Sequence, residues 1–545
     1  MIKQTKLYSV KIIYPYVGEL PSMREIKQTQ SLCPECLRVV PASRIVRNGK
    51  VYLVKNCEEH GRFEDIYWSS YDQYLRANRY WRPGVEPPIR QAQTRRGCPY
   101  DCGLCPNHKN NTILAVIDIT NLCNAHCPTC FASADKKKEY IYEPTIEQID
   151  YMLDSIAGDV KAMQLTGGEP TLRPDLHEII LHAKLRGINH IELNTNGIAF
   201  ASSKGTELTK SLESMFGDES EKKGLSTVYL KFNGFSRSTW EATTGDPNWG
   251  PIPLRAVENI TKGYNDMRRS PGVMLVPTVI NGINNHEIGD IIEYAIKNSY
   301  VVRGVNFQPV SFAGSMSAQD LEKRRYTLPD LLKDIEEQTK GDIKTDDFYP
   351  ISCVSPFAET VWYWKGRGLP GFTTHQHCGA MTALFVEDGD VIPVTKYISL
   401  DRFFTSLRKA AAYYKEGKKT RGKLHLIRAF TGVKPRPGIG PLLSLVKDVA
   451  GDANNWRALG QLLLHMVFIG AMHFMDKHNF DLERVQLCPI HQILPDGARV
   501  PFCSYQTIHR PIMEKKFSIS LKEWKERRNI QQIEEHPLPL TKVDQ

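Results

Sequence analysis

The residues most able to do chemistry in this chain are its cysteines. There are 13 in 545 residues, and they fall in groups: Cys33 and Cys36 with Cys57; Cys98, Cys102 and Cys105; Cys123, Cys127 and Cys130; Cys353 and Cys378; Cys488 and Cys503. A disulfide scaffold would be short and evenly paired. An odd number of thiols spaced two and three residues apart in a large chain points to metal instead. Cys123-Asn-Ala-His-Cys127-Pro-Thr-Cys130 and Cys98…Cys102…Cys105 share the spacing CxxxCxxC. Three such thiolates hold three irons of a [4Fe–4S] cubane and leave the fourth iron open to a small chelating ligand.

The surrounding pattern positions the second of these triads. From about residue 113 to 310, apolar strand-like runs alternate with helical ones: ILAVIDIT, VKAMQLT, INHIELNT, STVYLKF, GVMLVPTVI and VRGVNFQPV. In PTIEQIDYMLDSIAG, Ile146, Ile149, Leu153 and Ile156 recur at helical spacing, with Thr145 and Gln148 fitting a capping box. Six βα units predict a partial (β/α)6 barrel whose site lies at the C-terminal ends of its strands. The Cys123 loop follows the first strand, and Gly167-Gly168-Glu169-Pro170 ends the second. Glycines let backbone approach a ligand closely, and Glu169 is expected to accept a hydrogen bond from a ligand ammonium. Asn194 and Asn196 at the third strand end offer polar groups for a ribose or carboxylate.

The other thiols predict further metal. Cys33-Pro-Glu-Cys36 and Cys57-Glu-Glu-His60 are two knuckles around a β-hairpin turning at Asn48-Gly49, a pattern that fits a tetrahedral Cys3His site for iron or zinc. Cys98, Cys102 and Cys105 predict an auxiliary cluster, with His108 as a fourth ligand or a plain loop histidine. Cys353, Cys378, Cys488 and Cys503 predict a fully ligated one, giving three [4Fe–4S] clusters and one mononuclear iron or zinc.

Composition is that of an ordinary soluble protein, 41% hydrophobic and 24% charged, and the opening MIKQTKLYSVKIIYPYVGEL lacks a secretory pattern, so a cytoplasmic location is expected. The net charge of +9 is spread out rather than gathered in a nucleic-acid stripe, and no nucleic acid is expected as partner. Between 401 and 475 a basic helical stretch precedes apolar runs, including WRALGQLLLHMVFIGAMHFMD, which is too short and interrupted for a membrane span. An apolar helical insertion is expected there: either core helices, or a hydrophobic tunnel with a basic mouth suited to a phosphorylated lipid, with peripheral membrane contact.

The CxxxCxxC loop after strand one, with GGEP after strand two, resembles the radical S-adenosylmethionine (SAM) superfamily. That resemblance implies SAM chelating the open iron, bordered by Gly167, Gly168, Glu169 and Pro170. The residue before the last cysteine is often aromatic in the superfamily. Here it is Thr129, which leaves Phe131 as the nearest substitute for the adenine contact. Across roughly residues 25–510, the CPEC…CEEHG knuckles, the paired CxxxCxxC loops, HCGAMTALFVEDGDVIPVTKY and CPIH…PDGARVPFCSYQ resemble the tetraether lipid synthase family, members of which are also catalogued as pterin methyltransferases. This implies joining of unactivated methyl termini of ether phospholipid chains by hydrogen abstraction, with a ferredoxin- or flavodoxin-type electron donor. The alternative is methylation of a pterin or similar heterocycle. The GGEP strand argues against a non-catalytic metal-ribbon protein.

The expected organisation is α/β. A ribbon domain (1–85) and an auxiliary cluster segment (86–112) precede the partial barrel (113–320). Two halves of an auxiliary-cluster domain (321–400 and 476–515) flank the helical insertion (401–475), and a tail (516–545) follows.

Overall fold

The N-terminal ribbon folds through local alternation. Strands β1 (Arg24–Leu32), β2 (Val39–Arg47), β3 (Lys50–Cys57) and β4 (Gly61–Trp68) pair in order as an antiparallel meander. In β3 the residues Val51, Leu53, Lys55 and Cys57 follow a period of two that buries every second side chain. The β2–β3 turn is the expected one: Asn48 and Gly49 both take left-handed backbone, φ 50° and 71°. This is a computed structural model, and it describes residues 24–134, 140–215, 224–267, 270–366, 372–387, 390–430 and 466–528.

The six expected barrel strands form on their apolar runs, the one on GVMLVPTVI ending at Val276. They are β5 (Leu114–Thr120), β6 (Ala162–Gly167), β7 (His190–Thr195), β8 (Thr227–Lys231), β9 (Gly272–Val276) and β10 (Val302–Pro309), parallel and adjacent in sequence order. Helices on the outside cover them. The first, Ile146–Asp154, starts at the Thr145 capping box, where Gln148 N donates to Thr145 Oγ1 (3.3 Å) and Thr145 N to Gln148 Oε1 (2.9 Å). It buries Ile149, Met152 and Leu153 against a core shared with Ile117, Leu165 and Leu193.

The C-terminal third extends this same sheet on both sides. Strands β11 (Gly379–Glu387) and β12 (Met466–Met472) join at β10, and β13 (Ile490–Ile493) and β14 (Arg499–Pro501) join at β5. The labelled row therefore runs β14–β13–β5–β6–β7–β8–β9–β10–β12–β11. From β13 to β12 every neighbour is parallel.

One expectation is corrected here. The helical insertion over 401–475 is helical at Leu400–Lys415 and Lys419–Ala429, but Met466–Met472 is a strand between β10 and β11. A short apolar run carries no period that separates a buried helix from a buried strand; Val467, Ile469 and Ala471 alternate inward once neighbours exist on both sides. The apolar stretch at 441–451 and the run from 456 to 465 lie outside the described residues.

Buried charges fasten the ribbon to the loop after β12. Arg44 and Asp481, both fully buried, pair through Arg44 Nε (3.2 Å) and Nη2. Arg325 bridges Asp65 of β4 and Asp476, with Nη1 2.7 Å from Asp476 Oδ2. Lys55 donates to Ser31 Oγ (3.1 Å) and to the carbonyls of Lys477 and His478 (2.9 Å each), and burial brings its ammonium down to about 8. Such groups are tolerated inside only when paired.

Candidate active site and metal centres

The two motifs of the barrel mouth are stitched together by backbone. Gly168 N donates to Thr120 O and Glu169 N to Leu122 O, both at 2.7 Å, so the GGEP turn lies flat against the chain entering the Cys123 loop. A Cβ at Gly167 would stand 2.1 Å from Thr120 O, and one at Gly168 2.0 Å from Leu122 O. Both positions exclude any side chain, and Gly167 also has φ +128°.

Glu169 is buried and already occupied. Its Oε1 accepts from Thr171 N (3.1 Å), Thr171 Oγ1 (2.6 Å) and Thr195 Oγ1 (2.8 Å), and its Oε2 from Asn196 N (2.7 Å). Burial raises its carboxyl despite these bonds. Expected as an acceptor for a ligand, Glu169 is first a tie between the ends of β6 and β7. Asn196 is similarly committed, donating from Nδ2 to Asn124 Oδ1 (2.7 Å).

Above these groups lies a cavity of ≈ 230 Å³ bordered by Cys123, Cys127, Cys130, Phe131, Gly167, Gly168, Glu169, Asn194 and Asn196. Every expected barrel-site residue but Pro170 therefore lines one space. Pro170 is buried beneath it, opening a 3-10 turn. Burial pushes the Cys123 thiol up to about 12, with the nearby Glu169 carboxylate adding to the effect.

Several lining residues escaped the sequence reading. Thr166 (β6), Lys231 (β8) and Gln308 (β10) sit toward the ends of barrel strands, where the strand-end rule would have found them, while Gln164 (β6) and Tyr229 (β8) lie mid-strand. Phe474, Phe502, Gln506 and Arg510 arrive from the C-terminal third, and no local signal marks them. Phe131 stacks on Phe502 (5.7 Å, 13°), and Phe474 packs against both at 5.9 and 5.0 Å. Arg510 is neutralised by Asp118 and Glu514, each at 2.9 Å.

In the ribbon, Cys33, Cys36, Cys57 and His60 bring their ligand atoms within 4.8 Å of one another. His60 Nδ1 lies 3.7 Å from Cys33 Sγ and 3.5 Å from Cys57 Sγ, and Cys36 Sγ lies 3.9 Å from Cys57 Sγ. A tetrahedron with metal–sulfur bonds of ~2.3 Å has edges of about 3.8 Å, so the set fits one ion.

Cys98, Cys102 and Cys105 border one small pocket with His108. The His108 Nε2 atom is engaged with Cys488 O (3.1 Å) and His491 Nε2 (3.0 Å). Cys378, Cys488 and Cys503 are neighbours: Cys488 lies near both Cys378 and Cys503, and Arg484 stands beside Cys378 and Cys503. Cys353 is not with them. It packs among Tyr80, Tyr349, Val354, Leu400 and Phe404, and the charged groups it feels are Arg82 and Asp401. The expected four-thiolate set is thereby reduced to three. Cys353 behaves as a small buried hydrophobe, its thiol pushed up to about 12 by burial.

Three thiols converging on one cavity, beside a glycine cradle and a ring of polar strand ends, define a radical SAM site. Comparisons with known proteins agree. Residues 117–295 match the radical SAM superfamily, and residues 25–69 match the HMPTM N-terminal zinc ribbon domain. The 7,8-dihydro-6-hydroxymethylpterin dimethyltransferase of Methanocaldococcus jannaschii is 40% identical over 516 residues, 92% of this chain and 97% of that one. A probable GTP 3′,8-cyclase of Thermococcus kodakarensis is 27% identical over 224 residues, 41% of this chain and 64% of its own. Among solved structures, Streptococcus suis SuiB bound to S-adenosylmethionine aligns over 43% of this chain and 48% of that chain at 15% identity, TM-score 0.32. The chain is a radical SAM enzyme with an N-terminal zinc ribbon. Within that superfamily it belongs to the family of the M. jannaschii dimethyltransferase.

Proposed function

We propose that the barrel-mouth cavity binds SAM and functionalises an unactivated carbon, by methylation of a reduced pterin. The observation that carries this reading is the cavity wall. The near-parallel pair Phe131 and Phe502 suits a flat ring, while Gln164, Asn194, Gln308 and Gln506 offer amide donors and acceptors for a polar heterocycle. The M. jannaschii relative, named for such a substrate, supports it.

A [4Fe–4S] cluster on Cys123, Cys127 and Cys130 with SAM would supply, when bound, reductive cleavage of SAM to methionine and a 5′-deoxyadenosyl radical, the transferred methyl coming from a second SAM that leaves as S-adenosylhomocysteine and the two electrons from the reductant. The chain's own residues do the rest. Gly167 and Gly168 hold the methionyl side of the pocket at backbone distance, Glu169 keeps β6 and β7 in register, and Asn194 and Thr166, joined at 3.3 Å, border the ribose side. The phenylalanines exclude water from the reacting carbon. We assign the ribbon set to one iron or zinc. Cys98, Cys102 and Cys105 are assigned to one auxiliary [4Fe–4S] cluster, and Cys378, Cys488 and Cys503 to another. A ferredoxin- or flavodoxin-type donor would reduce them.

A second reading, joining of ether-lipid chains, is favoured by a separate observation. From residue 400 to 429 the chain carries nine Lys and Arg against Asp401 and Glu416, and it exposes Leu424 and Ile427. That surface suits peripheral contact with an anionic bilayer. Among the described residues no helix is long and apolar enough to cross a membrane.

One experiment tests both readings. Anaerobically reconstituted protein is incubated with SAM and dithionite, plus either 7,8-dihydro-6-hydroxymethylpterin or a diether phospholipid, and products are read by mass spectrometry. Methyl gain on the pterin supports the first reading. Loss of two hydrogens with joined chains overturns it in favour of the second.

A further inference from the structure

We infer that Lys231 sets the reduction potential of the cluster bound at Cys123, Cys127 and Cys130 and holds its loop in place; this rests on the reading of those thiols as cluster ligands. Lys231 is the last residue of β8 and lines the cavity. Its Nζ donates to Cys127 Sγ at 2.7 Å and to the carbonyl of Thr243 at 3.4 Å, and lies 5.7 Å from the centre of the Trp249 ring.

Two features make this more than a passing contact. The other cation of the cavity, Arg510, is matched by Asp118 and Glu514, whereas among the described residues no carboxylate lies within ion-pair distance of Lys231. With a cluster bound, its counter-charge would be the Cys127 thiolate it already touches. The same Thr243 carbonyl also accepts from Thr129 Oγ1 at 3.0 Å, so Thr129, Lys231 and Thr243 tie the cysteine loop to β8 and the helix Arg237–Thr244. Thr129, at the position often aromatic in the superfamily, thus has a structural role here.

The physical consequence concerns charge. Reduction adds one electron to a cluster already carrying thiolates, and net charge and hydrogen bonds to its sulfurs set the potential at which that happens. A fixed ammonium against one ligand sulfur stabilises the reduced form relative to the oxidised form. Lys231 is a positioning residue in this account, acting through Cys127.

The test is a redox titration of the anaerobically reconstituted full chain, with dithionite as reductant and EPR as readout, iron and sulfide being assayed in parallel. Lys231→Met removes charge and donor at similar length, Lys231→Gln keeps a donor, and Lys231→Arg keeps both. At wild-type iron content, Lys231→Met is expected to lower the reduced-to-oxidised ratio at a fixed potential at least tenfold, about 59 mV for a one-electron couple. Lys231→Arg should restore the wild-type ratio to within about threefold. An unchanged midpoint in Lys231→Met at full iron content overturns the inference. Should that variant fail to hold iron, an unchanged midpoint in Lys231→Gln overturns it equally. A wild-type protein with no reducible cluster that responds to SAM overturns the cluster reading itself, an outcome distinct from any variant effect.

Discussion

Gly168→Ala is a one-carbon perturbation whose effect follows from geometry. The added Cβ would lie 2.0 Å from Leu122 O, 2.5 Å from Leu122 C and 2.9 Å from Asn121 C, all backbone atoms that no rotamer change can move aside. Ordinary carbon–oxygen contact is ~3.4 Å, so the GGEP turn and the Cys123 loop must separate by roughly 1.4 Å, breaking the Gly168 N to Thr120 O and Glu169 N to Leu122 O bonds. A displacement of that size between a positioning loop and the reacting centre costs about 10²-fold in rate. The cysteines keep their own loop, so iron binding should survive. The assay is 5′-deoxyadenosine formation under dithionite, normalised to cluster iron, with Gly158→Ala as control. Gly158 has φ +92° but nothing within 4 Å of its Cβ, so that variant should lose only about 1–2 kcal/mol of stability and retain turnover. A Gly168→Ala enzyme cleaving SAM at the wild-type rate would refute the argument that these backbones are in functional contact.

Other outcomes follow from the same kind of accounting. Cys57→Ser or His60→Ala should cost one equivalent of zinc or iron while the SAM-cleaving cluster keeps its iron, measured by elemental analysis. Cys488→Ala and Cys503→Ala should lower cluster iron and Cys353→Ala should not; equal losses in all three would restore the four-thiolate set. Arg325→Met leaves Asp65 and Asp476 buried without their cation and should destabilise the ribbon–barrel junction by about 3–5 kcal/mol, read by limited proteolysis and thermal unfolding. The same junction should be acid-labile. Burial alone would raise the Asp476 and Asp481 carboxyls, but Arg325 and Arg44 outweigh it and hold both below the usual range. A carboxyl depressed in the fold contributes stability that is complete above its unfolded value near 3.9 and is lost as pH falls through the folded one. Tryptophan fluorescence should therefore report loosening below about pH 4 and none of this origin above pH 5.

What could be read in the amino-acid order was whatever neighbours along the chain decide. The Cys123–Cys130 spacing, the GGEP turn, the Thr145 cap, the Asn48-Gly49 hairpin and the six strand runs are all local patterns, and each appears where expected. The ribbon ligands were legible for the same reason: each knuckle is two residues wide, and one hairpin brings the pair together. The glycines were legible as glycines, but their reason, two carbonyls 2 Å from any added carbon, needed the loop across from them.

The rest depended on contacts between distant segments. Met466–Met472 reads as apolar in either helix or strand, and only the vacant edges of β10 and β11 make it a strand. Cys353 is indistinguishable from Cys378 in composition, yet an aromatic pocket built by Tyr80, Tyr349 and Phe404 takes it away from the other thiols. Lys231 looked like any strand-end lysine until Cys127, 104 residues earlier, was placed beside its ammonium. The sequence by itself determined the chemistry available and the barrel that presents it, because spacing and periodicity are short-range. Whether Cys353 lies with the other C-terminal thiols, which charges face the cysteines and which rings wall the cavity were decided by tertiary structure, because those partners meet only after the sheet has assembled.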